Sequence, residues 1–318
     1  MAQLKDPIKN IPGITCMRLK PECYPDIARL ASIVYGRTVS PGYYMHRYNG
    51  SVPGLYNLAF VAYNAEGEPV AFNGMQTCTL EWEGQLIPAA QNTDIMTHPA
   101  YRYRGLFANL SQRLFALCRQ QGVQLLFGFP NDFSYHGAVH TLNWQPADRM
   151  HCFSLSVKRG MGYPLLRKMG WWNAAKKEKT WQAFNAVPGG IENAIHREGF
   201  AGVWRNEAYL QWKAAGGSKV IQLEDARVWL KEKHHLMVGD IFNMHAGNAA
   251  KVMDGLFSLA KQLGLEQVQF HCSPGTTLYK HWSRLLPATD SYPVLIQDFG
   301  SGIPADKLKF SFADIDIF

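Results

Sequence analysis

The sequence contains no apolar run of ~18 residues, the length that a helix needs to cross a membrane. Its first residues, MAQLKDPIKNIPG, lack the apolar core of a secretory signal peptide, so we expect a cytoplasmic protein. The six cysteines are dispersed and form no C-x-x-C pair, which argues against a zinc site or a disulfide framework. We therefore predict that the protein needs no metal.

Charged residues are also sparse, at 18% of the chain, and the basic ones are scattered although the net charge is +7. A nucleic-acid-binding surface usually has clustered lysine and arginine, so we predict no nucleic-acid partner and no membrane partner. The hydrophobic content is 47% over 318 residues. This composition is typical of a soluble globular protein, and the length suits two domains.

One stretch, Thr93 to Trp144, combines a strand, a basic loop, a helix and a second strand. Leucines recur at helical spacing after the loop, Gly122 ends that helix, and the run Val123 to Phe129 resembles a buried strand. The loop lacks the G-x-G-x-x-G of dinucleotide-binding folds and the G-K-[ST] of a P-loop. A helix N-terminus that follows arginines can nevertheless hold a phosphate, because its first N–H groups have no intrahelical partner.

The order of strand, His98-Pro99, R-x-x-G, amphipathic helix, strand and Asn131 resembles motifs A and B of the GNAT N-acyltransferase superfamily. In that family the loop [QR]-x-x-G-x-[GA] binds the pyrophosphate of acetyl-CoA. Arg102 and Gly105 match this pattern, whereas Phe107 stands at the final small residue. The resemblance implies an α/β (α+β) fold in which each domain has a mixed, mostly antiparallel twisted sheet with a splayed central strand pair and flanking helices.

The same resemblance assigns a set of residues to the co-substrate acetyl-CoA or another acyl-CoA. They are Met96, Thr97, Arg102, Tyr103, Arg104, Gly105, Leu106, Phe107, Asn131 and Ser134.

The catalytic groups are less closely specified by the pattern. We nominate Asp94 as the general base, because it is the sole acidic residue between Gly84 and Asp132 and lies in the strand before the loop. Pairing of Asp94 with Arg102 or Arg104 is the structural alternative. Tyr135 is the candidate acid, and the carboxylate of Phe318 is a rival base, since in some multidomain GNAT acetyltransferases the chain terminus folds back into the active site.

A second copy of the unit is indicated by an internal repeat. LFALCRQQGVQLLF (114–127) aligns with LFSLAKQLGLEQVQF (256–270) at an offset of 142. The copy has no R-x-x-G, so we predict a catalytic GNAT domain at 1–180 and a degenerate GNAT-like domain at 187–318, as in tandem-GNAT proteins. The aromatic segment 40–54 either lines a pocket or packs as a surface loop.

The function that follows is direct transfer of an acyl group from acyl-CoA, most simply acetyl-CoA, to a small amine such as an amino sugar. Two alternatives remain open. One is an aminoacyl transferase of the tandem-GNAT type that uses aminoacyl-tRNA, although such proteins usually lack the loop. The other is a non-catalytic CoA-binding module.

Overall fold

A computed structural model describes residues 10–49, 52, 54–157 and 171–318, which form two compact units. Unit 1 comprises the described residues within 1–80, 84–147 and 294–303, and unit 2 those within 81–83, 148–293 and 304–318. The division therefore lies at 147/148, and not between 180 and 187 where the sequence placed it. Residues 294–303 belong to unit 1, although they follow most of unit 2 in the chain.

Unit 1 is a sheet flanked by helices. Its strands are β1 (Thr15–Arg18), β2 (Ala59–Tyr63), β3 (Pro69–Trp82), β4 (Gln85–Thr97) and β5 (Leu125–Gly128), and its helices are α1 (Tyr24–Tyr35), α2 (Pro41–Tyr48), α3 (Leu106–Gln120) and α4 (Asp132–Leu142). The strands lie in the order β1-β2-β3-β4-β5. β1, β2 and β3 pair antiparallel, whereas β4 and β5 are parallel, which requires the crossover that α3 supplies.

The predicted amphipathic helix is confirmed in α3. Leu106, Leu110, Leu114 and Leu117 are all buried. Gly122 has a φ of 80°, a left-handed conformation that suits glycine and ends the helical run before β5.

Most of the aromatic segment 40–54 is helical rather than a loop. Ser40 caps α2 by accepting a hydrogen bond from the backbone N–H of Tyr43 at 3.2 Å, and proline follows at the first helical position. Tyr44 and Tyr48 are almost fully buried, so one face of α2 packs into the core of unit 1.

Unit 2 is again a sheet with helices. Its strands are β6 (Gln145–Ser156), β7 (Val187–Pro188), β8 (Gly202–Val203), β9 (Lys219–Leu223), β10 (Ala226–Glu232), β11 (Leu236–Phe242), β12 (Gln267–Cys272) and β13 (Ala288–Asp298), and its helices are α5 (Ala174–Ala183), α6 (Glu207–Ala215), α7 (Ala249–Gln262) and α8 (Thr277–Ser283). β3, β6 and β13 each have residues in both units. The sequence from 164 to 179 resembles a helix with a basic end; residues 164–170 of it lie outside the described ranges, and residues 174–179 belong to α5.

The repeat seen in the sequence corresponds to the same order of elements in unit 2. β11, α7 and β12 form a strand, a helix and a parallel strand, as β4, α3 and β5 do. An offset of 142 carries residues 125–128 of β5 onto 267–270 of β12. Mixed α/β structure with mostly antiparallel strands and flanking helices agrees with the predicted fold class. None of the helices in the described ranges combines the length and apolarity of a membrane span.

Unit 1 receives one strand that its own sequence neighbourhood did not predict. Leu295 to Asp298, the last part of β13, pair antiparallel with Gly128 to Leu125 of β5. The backbone N–H of Phe299 continues this contact by donating to the carbonyl of Gln124 at 2.8 Å. β5 therefore has a partner on both edges, as expected for a short and fully buried strand.

Candidate functional site

The candidate site lies where the pairing of β4 with β5 ends. The last paired residues are Asn92 and Gly128, but β4 continues to Thr97. We call the open side of β4 beyond this pair the fork of unit 1. Because parallel strands end at the same sheet edge, the segments that follow β4 and β5 both start beside the fork. The structure therefore brings the predicted residues at 96–107 and 131–135 to one edge.

The segment between β4 and α3 is a tight turn followed by two left-handed residues. His98 starts a short 3-10 helix, Pro99–Tyr101, with its Nδ1 accepting from the backbone N–H of Ala100 at 3.2 Å. Tyr103 and Gly105 then have φ values of 63° and 77°. Glycine adopts this conformation without strain, which explains why the pattern needs Gly105 immediately before the helix.

The N-terminus of α3 has no internal cap. In the described residues its first backbone hydrogen bond is from Asn109 N–H to the carbonyl of Gly105, at 3.0 Å, and no side chain caps the helix. The N–H groups of Leu106 and Phe107 are thus left for another acceptor. In contrast, α2 and α4 are capped by Ser40 and Asn131. An uncapped N-terminus with its positive dipole end favours an anion.

Two arginines add positive charge at this end of the helix. Arg102 and Arg104 are exposed, and neither forms an ion pair with a carboxylate in the described part of the chain. The guanidinium of Arg104 lies 4.8 Å from the ring centroid of Tyr101, whose hydroxyl accepts from Asn64 at 3.0 Å. A phosphate at the loop would therefore not compete with a protein carboxylate for these arginines.

Phe107, the departure from the family pattern, packs away from the loop. Its ring lies against α4 at Gly137, where a Cβ atom would be only 3.0 Å from Cε1 of Phe107. Gly137 thus provides the space that a phenylalanine needs at this position. Leu106 is 1% exposed and anchors the same turn in the core. The bulky ring consequently does not fill the space in front of the loop amides.

The residues predicted at the start of α4 have separate structural roles. Asn131 caps the helix, its Oδ1 accepting from the backbone N–H of Ser134 at 3.0 Å, and the Ser134 hydroxyl donates to the same oxygen. Tyr135 is half-buried and packs against the same core cluster as Phe107, and its hydroxyl has no hydrogen bond in the described residues. Tyr135 therefore keeps a free donor, whereas Asn131 and Ser134 bind each other.

Asp94 forms a buried network with α2. The Nε of Arg47 lies 2.7 Å from Asp94 Oδ2, and the hydroxyl of Tyr48 donates to the same oxygen at 2.7 Å. The Arg47 side chain is 7% exposed and that of Asp94 14%. The partner of Asp94 is thus Arg47, whereas the sequence had suggested Arg102 or Arg104. The sequence shows the aromatic segment 40–54, but the contacts of Arg47 and Tyr48 with Asp94 span more than forty residues and have no local signal.

The tyrosines around Asp94 stay protonated. Burial, together with the neighbouring Asp94 charge, raises the pKa of Tyr48 well above its ordinary value. The same causes raise the pKa of Tyr35 to about 12. Met96, two residues further along β4, is buried with its sulfur 4.0 Å from the hydroxyl of Tyr44. The face of β4 at Asp94 and Met96 is therefore lined by hydroxyl groups and aromatic rings.

The corresponding place in unit 2 has the opposite charge. Asn248, which precedes α7, donates through its side chain to Asp225 at 2.7 Å, and Nε2 of His245 lies 3.1 Å from the same carboxylate. Hydrogen bonds from Asn248, the larger effect, and from His245 lower the pKa of the Asp225 carboxyl to about 2. An ionised carboxylate thus lies close to this helix N-terminus, where unit 1 has two arginines. A phosphate is disfavoured there.

Phe318, the rival base, belongs to unit 2. It is 3% exposed, and its backbone oxygen accepts from Nζ of Lys213 at 3.4 Å. No group of three or more histidine, cysteine or acidic side chains in the described ranges is arranged to hold a metal ion.

Comparison with known proteins bears on this arrangement. A family model for the acetyltransferase (GNAT) domain matches residues 16–147. The fold resembles a GCN5-related N-acetyltransferase from Kribbella flavida with a TM-score of 0.58 at 14% identity, over 90% of this chain and 71% of that one. It also resembles a GCN5-related N-acetyltransferase from Anabaena variabilis, with a TM-score of 0.55 at 13% identity, over 90% of this chain and 73% of that one.

The similarity to a third solved structure extends over nearly the whole of both chains. It is a Pyrococcus horikoshii protein assigned provisionally as an acetyltransferase, with a TM-score of 0.55, 14% identity and 96% coverage of each chain. Among curated proteins, none matches this sequence. At these identities the likeness to the solved structures is one of fold.

Proposed function

We propose, from the premise that residues 16–147 are a domain of the GNAT acetyltransferase family, that the protein is an acyl-CoA-dependent N-acyltransferase with its co-substrate on unit 1. The observation that carries this proposal is the uncapped N-terminus of α3, with two exposed arginines that have no carboxylate partner in the described residues. Backbone N–H groups of 103–107 and the side chains of Arg102 and Arg104 would hold the pyrophosphate. Acetyl-CoA is the simplest acyl donor.

The acyl arm would then lie in the fork of unit 1. Beyond Asn92 the β5 side of β4 has no paired strand in the described residues, so backbone groups around Met96 and Thr97 face the arm. A backbone N–H near Met96 can stabilise the oxyanion that forms when an amine attacks the thioester carbonyl. The transfer is direct and needs no acyl-enzyme.

Asp94 is the proposed base. Arg47 and Tyr48 both bind Oδ2, and in the described residues neither they nor any other side chain hydrogen-bonds to Oδ1. Oδ1 can thus take a proton from the attacking amine, directly or through one water. Tyr135, whose hydroxyl is likewise without a partner, is the proposed donor to the leaving thiolate. Tyrosines of α1 and α2 near Asp94 would surround a small amine acceptor, for example an amino sugar.

One observation favours a second candidate, a CoA-binding module without catalysis. Asp94 lies in a largely buried ion pair, and such pairs are often structural. Use of aminoacyl-tRNA is favoured by no feature of the site, because the arginine-bearing loop suits a CoA pyrophosphate.

The deciding experiment measures free CoA released from acetyl-CoA in the presence of a panel of small amines, together with CoA binding by calorimetry. Binding with amine-dependent turnover supports the transferase, and binding with no turnover over a broad panel supports the non-catalytic module. Absence of CoA binding would exclude both. Turnover that depends on added aminoacyl-tRNA would identify the third alternative.

A further inference from the structure

The pair of parallel strands in unit 2 has a fork of its own. β11 and β12 pair from Leu236 with Val268 to Val238 with Phe270. Beyond this point β11 runs on to Phe242 and β12 to Cys272. We call the space between these two strand ends the fork of unit 2. Unpaired backbone groups in such a position need a partner.

A segment of the chain lies in this fork. One edge of β12 is taken by β6, since His271 pairs with Cys152 and Cys272 with His151. Cys272 also forms an antiparallel bridge with Ser311. Because a strand has two edges, Ser311 must occupy the edge that faces β11. Its hydroxyl indeed lies 3.3 Å from a carboxylate oxygen of Asp240 on β11.

Backbone hydrogen bonds continue this contact beyond Cys272. The N–H of Ser273 donates to the carbonyl of Phe310 at 2.9 Å, and the N–H of Phe310 donates to the Ser273 hydroxyl at 3.1 Å. Main-chain pairing of this kind is how an extended peptide adds to an open sheet edge.

Buried charges fix the segment further along. Arg205 is fully buried and donates to Asp314 and to the Ser311 hydroxyl, each at 2.8 Å. The same guanidinium is paired with Asp240 of β11. A buried guanidinium needs all of these acceptors, because each unpaired N–H would cost free energy. Arg205 thus ties the segment to one side of the fork.

An aromatic anchor completes the contact. The ring of Phe318 lies over Gly239, where a Cβ atom would be only 2.3 Å from the ring. Gly239 is the first β11 residue beyond the pairing with β12. Trp229 meets the same ring edge to face, with centroids 5.3 Å apart, and Lys213 donates to the backbone oxygens of Ile315 and Phe318. The strand carries no side chain at the one position where the ring lies.

We propose that the fork of unit 2 is a peptide-binding site occupied in cis by residues 310–318. The ligand it takes is an extended peptide with a hydroxyl, a carboxylate and a phenyl ring. Cys272 and Ser273 pair with the peptide backbone, Arg205 binds the hydroxyl and the carboxylate, and Gly239 leaves space for the ring. With the segment in place this fork holds no acyl thioester. Only this statement about the acyl thioester rests on the proposed function of unit 1. In the described residues no such segment lies in the fork of unit 1.

A double-mutant cycle between Gly239 and Phe318 tests the site in the full-length protein. Gly239→Ala alone should lower the melting temperature by several degrees, because its methyl group clashes with the ring. In a Phe318→Ala background the same change should be neutral or raise the melting temperature, since alanine suits a strand better than glycine. Equal effects of Gly239→Ala in both backgrounds would overturn the proposal. Gly128→Ala, whose Cβ would meet only an ordinary 3.6 Å contact with Asn92, is the matched control.

Two further measurements keep this test separate from that of the proposed function. Hydrogen exchange at the amides of Ser273 and Phe310 should be as slow as in the core of unit 2, and fast exchange would count against the site. Calorimetry should find one CoA per chain, whereas two would show that the fork of unit 2 is open. If no CoA binds, the transferase proposal is wrong. The double-mutant cycle and the hydrogen-exchange rates still test the peptide-binding site in that case.

Discussion

Arg47 and Asp94 form an ion pair with Nε 2.7 Å from Oδ2, and both side chains are largely removed from solvent. They come from α2 and from β4, so the pair fixes the aromatic helix against the strand that precedes the basic loop. Tyr48, in the same helix, donates to the same carboxylate oxygen. The nominated base is thus held in one position by two residues that the sequence had not connected to it.

Replacing Asp94 with asparagine should lower the rate of acyl transfer by ~10²-fold while the affinity for CoA stays unchanged. The reason is that the amide cannot accept the amine proton, and the pyrophosphate site is unaffected. Steady-state kinetics and calorimetry measure the two quantities. Arg47→Met is the matched control, because it removes the ion pair and keeps the carboxylate. Equal loss of rate in both variants, with equal loss of stability, would make the role of Asp94 structural.

The double change of Arg102→Ala and Arg104→Ala should weaken CoA binding by about 3 kcal/mol or more, as expected for two charge-assisted contacts. The effect should shrink as salt is added, because these guanidiniums are exposed. Calorimetry at two salt concentrations measures both. Arg119→Ala is the control, since this arginine lies near the other end of α3 over the ring of Phe299. An unchanged CoA affinity in the double variant would contradict a pyrophosphate site at the loop.

The fragment 1–180 should be poorly soluble or inactive. It lacks residues 294–303, so one edge of β5 would lose its antiparallel partner and expose buried apolar strand. Expression of this fragment, followed by size-exclusion chromatography and a CoA-binding assay, measures the outcome. The same fragment with residues 288–303 attached through a flexible linker is the control, and it should be more soluble. A soluble, fully active 1–180 fragment would refute the prediction.

The stability of unit 2 should depend on pH through Lys213. The pKa of Lys213 is lowered from 10.5 to about 7 in the folded protein. Burial is the main cause, and the positive charge of the nearby Lys231 adds to it. Between these two values the unfolded chain binds more protons than the folded one, so this group makes the free energy of unfolding rise with pH, by up to about 1.4 kcal/mol per pH unit. Below pH 7 it adds no slope.

Lys213→Met removes this titration, so the wild-type slope between pH 7 and 10 should exceed that of the variant. Urea unfolding at several pH values measures both slopes. The comparison uses slopes and not absolute stabilities, because the variant also loses the hydrogen bonds to Ile315 and Phe318. Parallel curves for the two proteins would show that Lys213 titrates normally.

Local patterns were sufficient to predict several elements. The leucine spacing of α3, the glycine that ends it and the strand that follows all depend on residues within a few positions of each other. The loop with Arg102 and Gly105 is local for the same reason, because a helix N-terminus is formed by consecutive residues. The repeat at an offset of 142 likewise predicted that β12 follows α7.

Other features depend on contacts between distant parts of the chain, which have no period or motif. The ring of Phe107 is accommodated by Gly137, and the carboxylate near α7 comes from Asp225. Asparagine and serine at 131 and 134 matched a family pattern, yet in the structure they form a helix cap. Residue type alone does not distinguish a cap from a ligand contact, since both use the same oxygen atoms.

The sequence by itself determined the basic loop at the start of an amphipathic helix, and with it the resemblance to an acyltransferase, because that chemistry is carried by neighbouring residues. Only the tertiary structure decided the partner of Asp94, the return of residues 294–303 to unit 1 and the occupation of the second fork by residues 310–318. Each of these joins segments separated by more than thirty residues. Such pairings are selected by burial and backbone hydrogen bonding over the whole fold, which no local window of sequence records.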